Sequence, residues 1–325
     1  MMAEPLLSVA DLKVHFPLGK GLLGRHAGVV KAVDGISFDL KPGETLGIVG
    51  ESGCGKSTLG RAILRLTKAT EGKVVWLGQD MFGLDKKTLR TTRRDLQIIF
   101  QDPLASLDPR MTIGAIIARP LKTFFPELGR AEIDKRVKDA MQQVGLAPEM
   151  LRRYPHEFSG GQCQRIGIAR AIILRPKLIV CDEPVSALDV SIQAQIINLL
   201  RKLQAELGLS LLFISHNLSV VRHISHRVMV LYLGKVMEIA ERDVFYANPM
   251  HPYSKALISA IPLPDPKRER ARQHILLQGD LPSPIRPPDG CRFCTRCPMA
   301  TDQCHAIEPP LTPRSDGRLV ACHYA

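Results

Sequence analysis

"GETLGIVGESGCGKSTL", residues 43–59, runs from a short apolar segment through clustered glycines into a lysine–serine–threonine triplet. Its first half, "GETLGIVG", reads as a buried strand that stops at Gly50, and "KSTLGRAILRL" (56–66) has helical character. Between them, "GESGCGKST" (50–58) matches the spacing G-x-x-x-x-G-K-[ST] in the setting its chemistry needs, after a strand and opening a helix. Gly50, Gly53 and Gly55 let the backbone wrap close around phosphates, and the helix N-terminus adds partial positive charge. Lys56 is expected to reach the β- and γ-phosphates and Ser57 to ligate Mg²⁺. Glu51, Ser52, Cys54 and Thr58 complete the expected nucleotide-binding loop.

Further along, strands and helices alternate. "LQIIFQ" (96–101), "PKLIVCDEP" (176–184), "SLLFISH" (210–216) and "RVMVLYLGKVMEIA" (227–240) read as strands. Ile133, Val137, Met141 and Val144 fall on one face of a helix over 131–146. Ile192, Ile196, Leu199, Leu203 and Leu207 do the same over 191–208, where Gly208 is the stop. The alternation predicts an α/β core with a mostly parallel sheet. Residues from about 104 to 164 read as a helical insertion, with no convincing strand between 104 and 158. From Pro249 the composition changes: 13 of the 24 prolines lie in the last 77 residues. This predicts a loop-rich extension with an exposed basic connector, "DPKRERARQH" (265–274).

"LIVCDEP" (178–184) is an apolar strand ending in two carboxylates. Asp182 is expected to face Mg²⁺ through a water, and Glu183 to polarise an attacking water. With the phosphate loop, this points to nucleoside triphosphate hydrolysis. The 325 residues, 45% hydrophobic and 23% charged, describe a soluble globular chain. No apolar run reaches the roughly 18–20 residues that span a bilayer, and the N-terminal stretch does not read as a secretion signal, so the cytosol is expected. The net charge of +12 suits an anionic membrane face. Nucleic acid is not expected as a partner, because no long Lys/Arg block with interleaved aromatics is present.

Four more signals turn this chemistry into a family likeness. "FSGGQ" (158–162), "QDP" (101–103), "SALD" (186–189) and His216 in "ISHNLSV" join the phosphate loop and the Asp182–Glu183 strand end, in that family's order. The chain resembles the ATP-binding cassette (ABC) family of transport ATPases. The resemblance implies a cassette ATPase fold: a phosphate-loop core with a mostly parallel sheet, an antiparallel β region and a helical insertion. The cassette would occupy residues 1–248. It also implies that two ATPase subunits pair head to tail, each ATP lying between one chain's phosphate loop and the other's signature loop. Ser159, Gly160 and Gly161 would then contact the partner's γ-phosphate, with Gln162 supporting the loop; a serine hydroxyl, backbone N–H groups and a helix start suit an anion. By the same resemblance Gln101 would ligate Mg²⁺ alongside Ser57, His216 would contact the γ-phosphate, and Asp189 would communicate across the dimer. Glu183, His216 and Lys56 would be the catalytic set, and Phe16 would stack on adenine. Phe158 stands where the family usually has leucine, and Cys163 where many members carry a basic residue; neither removes a phosphate contact.

"HPYSKALISAIP" (251–262) and "LQGDLPSPIRPPDGCRFCTRC" (277–297) resemble the C-terminal extension of the dipeptide and oligopeptide importers, here residues 249–325. Within that group the likeness is to the second ATPase subunit of dipeptide importers. It implies a subunit that powers peptide uptake. Its partners would be a second, paralogous ATPase, two transmembrane permeases and a peptide-binding protein outside the membrane. It would sit peripherally on the cytoplasmic face of the inner membrane. Related systems carry nickel or other small solutes, and soluble cassette ATPases also exist. The latter usually hold two cassettes or a long coiled coil, and this chain has one phosphate loop and no heptad run. Cys291, Cys294 and Cys297 have the spacing of a ferredoxin run. The resemblance instead implies Cys291, Cys297, Cys304 and Cys322 as ligands of a [4Fe–4S] cluster, with Cys294 spare. The same thiolates suit zinc, with His305 and His323 as alternates, or remain free.

Overall fold

The computed structural model describes residues 4–19, 28–262, 265–271 and 274–325. In chain order the elements are β1 (Leu7–Pro17), β2 (Val29–Leu40), β3 (Thr45–Val49), α1 (Lys56–Ile63), β4 (Glu71–Trp76), β5 (Gln79–Asp80), α2 (Lys86–Thr92), β6 (Leu96–Ile99), α3 (Ile113–Phe124), α4 (Arg130–Gln143), α5 (Gly160–Ile172) and β7 (Leu178–Asp182). They continue as α6 (Val190–Leu207), β8 (Ser210–Ile214), α7 (Leu218–Ile224), β9 (Arg227–Tyr232), β10 (Lys235–Glu241), α8 (Arg242–Ala247), α9 (Pro252–Ser259), α10 (Pro266–Ala271), α11 (Asp302–Ala306), β11 (Thr312–Pro313) and β12 (Leu319–Val320). These elements form two compact units. One contains Met81–Ile214 with Met1–Leu6 and Leu40–Thr45; the other contains Leu7–Asp39, Leu46–Asp80 and Ser215–Ala325.

In the first unit β6, β7 and β8 pair in parallel, Leu96 beside Leu178 and Leu178 beside Ser210. All five residues of β7 and all five of β8 are buried, which is why each reads as a continuous apolar run rather than an alternation. The helices around them obey the predicted periodicity. α4 buries Ile133, Val137, Ala140 and Met141, while Val144 is its C-cap. α6 buries Ile196, Leu199 and Leu203, together with Ile197 and Leu200, whereas Ile192 and Leu207, expected on the same face, are half-buried. It starts on an Asp189 side chain that accepts the Ile192 N–H, and it ends at Gly208 with φ 64°. Among the described residues the stretch 104–158 holds α3, α4 and short 3₁₀ turns but no strand.

In the second unit β3 and β9 are parallel, β9 and β10 form an antiparallel hairpin, and β12 pairs antiparallel with β10. A separate antiparallel sheet has the order β2-β1-β4-β5. β1 carries no clean alternation in the sequence. Its alternation of buried Leu7, Val9, Leu12 and Val14 slips by one between Val9 and Leu12. The slip is a register shift around Asp11, which has φ 46°. A bulge inserts one residue and breaks the period-2 signal.

The extension is fastened by buried polar groups. Glu238 on β10 has no solvent exposure; it accepts the N–H groups of Met250 and His251, each at 3.0 Å, and a 3.4 Å contact from the Arg318 guanidinium. Arg318 is itself buried and also donates to Asp316. Tyr232, Tyr253 and Phe293 pack edge-on or tilted with ring centres 4.8–5.3 Å apart. The connector expected over 265–274 carries the short helix α10; positions 272–273 lie outside the described residues, as do residues 1–3 of the N-terminal stretch.

His251 caps α9, its Nδ1 accepting the Tyr253 N–H at 3.0 Å. Burial pushes its pKa down from the ordinary 6.5 to about 3. The folded chain therefore keeps His251 neutral where the unfolded chain protonates it. The stability this contributes is fully present above pH 6.5 and is lost as pH falls toward 3, by up to ~1.4 kcal/mol per pH unit. His251→Asn keeps a capping acceptor and removes the titration. Thermal melts should show a shallower loss of Tm between pH 6.5 and 4.5 for the variant than for the parent; parallel curves would contradict this reading.

Candidate nucleotide-binding site

The loop after β3 is shaped by three glycines at positive φ: Gly50 at 154°, Gly53 at 79° and Gly55 at 102°. A Cβ on Gly50 would lie 2.2 Å from the Leu231 carbonyl oxygen, and one on Gly55 would lie 2.0 Å from that of Ala32. Gly53 has open space around it and needs glycine for its φ alone. The Cys54 carbonyl accepts the Gly234 N–H at 3.0 Å, and the Cys54 thiol is buried beneath the loop, its pKa raised by that burial. Lys56 is only 4% exposed. Its Nζ donates to the carbonyls of Gly50 (2.8 Å) and Glu51 (2.9 Å), so a buried cation sits inside the loop. Ser57 and Thr58, both half-buried, open α1 behind it. Glycine-shaped backbone, a helix start and an ammonium group in one concavity fit a triphosphate. Ser57 at that helix start supplies the hydroxyl that Mg²⁺ chemistry requires.

His216 and Phe16 belong to the same unit as this loop. His216 is exposed, just before the Asn217 side chain that caps α7. Phe16, near the end of β1, is 42% exposed and so is not a core residue.

Gln101, Ser159–Gln162, Asp182, Glu183 and Asp189 belong to the other unit. Asp182 ends β7 and is buried. Glu183 follows at φ 48°, a left-handed conformation that costs a residue with a Cβ about 1–2 kcal/mol. The turn is held by the Glu183 N–H on the Ile214 carbonyl (3.1 Å) and by the Ser186 hydroxyl on the Glu183 carbonyl (3.1 Å). The Gln101 amide donates to the Glu183 carboxylate at 3.3 Å, so two residues 82 positions apart are brought together. Ser159 is the N-cap of α5 and forms a capping box with Gln162: Ser159 Oγ accepts the Gln162 N–H (3.3 Å), and Gln162 Oε1 accepts the Ser159 N–H (3.0 Å). Ser159 and Gly160 are exposed, whereas Gly161 is pressed against Ile192, where an added Cβ would meet Cγ2 at 2.6 Å. Asp189 is committed to the start of α6, accepting from the Ile192 N–H and the Ser191 hydroxyl; the latter contact above all holds its carboxyl below the usual range. Cys163, noted as a departure, is buried in α5 with its thiol 3.5 Å from the Pro155 carbonyl.

The cysteines of the extension share a small cavity. Cys291, Cys294, Cys297, Cys304 and Cys322 line a space of about 10 Å³, together with His323 and Phe293. This is about the room one water needs. Burial pushes the Cys291 thiol up to about 12 and raises Cys294 and Cys297. Among the described residues no group of three or more His, Cys, Asp or Glu side chains is arranged to hold a metal ion. The expected [4Fe–4S] cluster therefore finds no support among the described residues.

Two residues of the extension, which none of the nucleotide-site motifs includes, reach the phosphate loop. Tyr253 Oη accepts the Glu51 N–H at 3.0 Å, and Arg296 contacts the Glu51 carboxylate at 2.8 and 3.0 Å. Sequence separations of 202 and 245 residues left no local signal for either.

The family model for ABC transporters matches residues 33–186, and that for the oligopeptide/dipeptide transporter C-terminal region matches residues 237–304. The chain is 61% identical to the oligopeptide transport ATP-binding protein OppF of Salmonella typhimurium over 94% of this chain and 92% of that one. It is 54% identical to the oligopeptide transport ATP-binding protein AppF of Bacillus subtilis over 98% and 97%. Among solved structures, the ATP-binding cassette MJ0796 in its dimeric post-hydrolysis state, bound to ADP and Pi, superposes with a TM-score of 0.65 at 29% identity. That match covers 73% of this chain and 98% of that one. No helix among the described residues is long and apolar enough to cross a membrane. The chain belongs to the ABC transporter family, as an ATPase subunit of the group that carries the oligopeptide/dipeptide transporter C-terminal region.

Proposed function

We propose that this chain hydrolyses ATP to power the import of oligopeptides and dipeptides, bound peripherally to permease subunits on the cytoplasmic face of the plasma membrane. The observation that carries this reading is the glycine-shaped loop closed around the buried Lys56 ammonium, an anion site built from backbone. The peptide cargo follows from relatives named for oligopeptide transport and from the matched C-terminal region. No side chain described here is assigned to the peptide itself, which a separate binding protein and the permeases would handle.

In this reading the phosphate loop of one subunit faces Ser159, Gly160 and Gly161 of a second ATPase, a paralogue or a copy of this chain. The exposed Ser159 hydroxyl and the start of α5 complete the anion's surroundings. Lys56 leaves the loop carbonyls to meet phosphate oxygens, exchanging two neutral acceptors for charged ones. Ser57 and Gln101 would hold Mg²⁺, with Asp182 near it through a water, and the ion would supply charge neutralisation on the phosphate oxygens. Glu183 accepts the proton of the attacking water, and its strained turn fixes where the carboxylate points. Because Gln101 is bonded to Glu183, occupancy at one bears on the other, which ties the start of the helical insertion to the chemical step. His216 orients the water from the γ-phosphate side, Asp189 carries contact between the subunits, and Phe16 offers its exposed ring to adenine.

Two sets of variants test this reading. Glu183→Gln should bind MgATP as the parent does and hydrolyse it at least ~100-fold more slowly in the assembled transporter; near-normal turnover would remove Glu183 from its role. Gly53→Ala, which has room but the wrong φ, should weaken nucleotide binding and stability by about 1 kcal/mol. Gly55→Ala should cost clearly more, because its Cβ meets backbone. Equal effects, read by nucleotide titration and urea unfolding, would show that the loop is not held in this shape.

A further inference from the structure

Glu51 is the one acidic residue of the phosphate loop. A carboxylate there opposes a triphosphate, because like charges a few ångströms apart repel strongly at the rim of a partly buried site. Three contacts account for it. Its carbonyl accepts from Lys56 Nζ at 2.9 Å, inside the loop. Its N–H goes to Tyr253 Oη at 3.0 Å. Its carboxylate is met by Arg296 Nη1, 3.0 Å from Oε1 and 2.8 Å from Oε2. The last two partners come from the C-terminal extension, and neither belongs to the motifs that define the nucleotide site.

The pair is well placed to be more than a surface contact. The Arg296 side chain is 11% exposed and that of Glu51 28%, so water screens the attraction only in part. The guanidinium also lies over the Tyr232 ring, 6.0 Å from its centre, and Tyr232 packs against Tyr253 and Phe293. Phe293 caps the short turn Cys294–Arg296 and Arg296 is its last residue, while Cys291 before the turn, Cys294 within it and Cys297 after it line the small cavity described above. One aromatic cluster thus carries both groups that hold Glu51.

We propose that Arg296 and Tyr253 are positioning residues for the phosphate loop: Arg296 neutralises the Glu51 carboxylate and turns it toward the extension, Tyr253 holds the Glu51 N–H, and together they set the affinity for MgATP. The inference rests on the reading of this loop as the nucleotide site. It makes the extension a determinant of nucleotide affinity within a single chain.

The test uses the full-length chain and titration with a fluorescent ATP analogue in the presence of Mg²⁺. Arg296→Ala should weaken binding about tenfold, since it leaves an uncompensated carboxylate beside the anion. Arg296→Lys should stay within about threefold, and Tyr253→Phe, which removes only the hydroxyl, should weaken binding about threefold. The deciding variant is the double substitution Glu51→Gln with Arg296→Ala. If Arg296 acts through the Glu51 charge, the double variant should recover to within about threefold of Glu51→Gln alone. Unchanged affinity in Arg296→Ala overturns the proposal. So does a weakened Arg296→Ala that Glu51→Gln fails to rescue, which would mean the arginine only supports the fold of the extension. A parent chain that does not bind the analogue, or binds it equally well as Lys56→Ala, would instead overturn the nucleotide reading itself.

Discussion

The rest of the structure depends on one backbone constraint: the chain between Gly50 and Lys56 must curl around a cation-bearing hollow while lying so close to the surrounding backbone that neither Gly50 nor Gly55 has room for a Cβ. Nothing in that loop stabilises it by apolar burial except the Cys54 thiol beneath it. Its shape is imposed from outside. β3 and α1 fix its ends, the carbonyls of Leu231 and Ala32 set how close it lies to its surroundings, and the Gly234 N–H holds the Cys54 carbonyl. Lys56 closes the hollow from within by donating to the loop's own carbonyls. A site built this way binds anions with groups that already point inward, so little reorganisation opposes binding.

The carboxylate end of the chemistry is built on a different principle. Asp182 and Glu183 end a fully buried strand, and the left-handed Glu183 turn stores local strain that two hydrogen bonds and the Gln101 amide hold in place. Several motif residues also have ordinary structural duties. Ser159 and Gln162 cap α5 reciprocally, Asp189 caps α6, and Gly161 lets α5 approach Ile192. Mutating any of them therefore disturbs helix starts as well as chemistry, and loss of activity alone would not separate the two.

Sequence reading reached the parts whose signal is local. The buried strands "LIVCD" and "SLLFI", the helical faces of α4 and α6, and the phosphate loop all carry their pattern within a dozen residues, and each lies where it was expected. What it missed was set by long-range pairing. The bulge at Asp11 hid β1, and β12 was invisible because a two-residue strand has no period and exists only by pairing with β10. Cysteine spacing suggested shared ligation, but spacing does not say where thiols point, and among the described residues they form no metal-holding group. Tyr253 and Arg296 lie inside the two stretches that marked the extension, yet nothing in those stretches pointed to the phosphate loop: the tyrosine and arginine acquire that role only through where folding carries them.

The most direct test of the account is calorimetric titration of the full-length chain with MgATP, run beside Lys56→Ala. The account predicts one site per chain and at least a tenfold loss of affinity when the buried ammonium is removed. Equal affinity for the two proteins, or no binding by the parent, would contradict it.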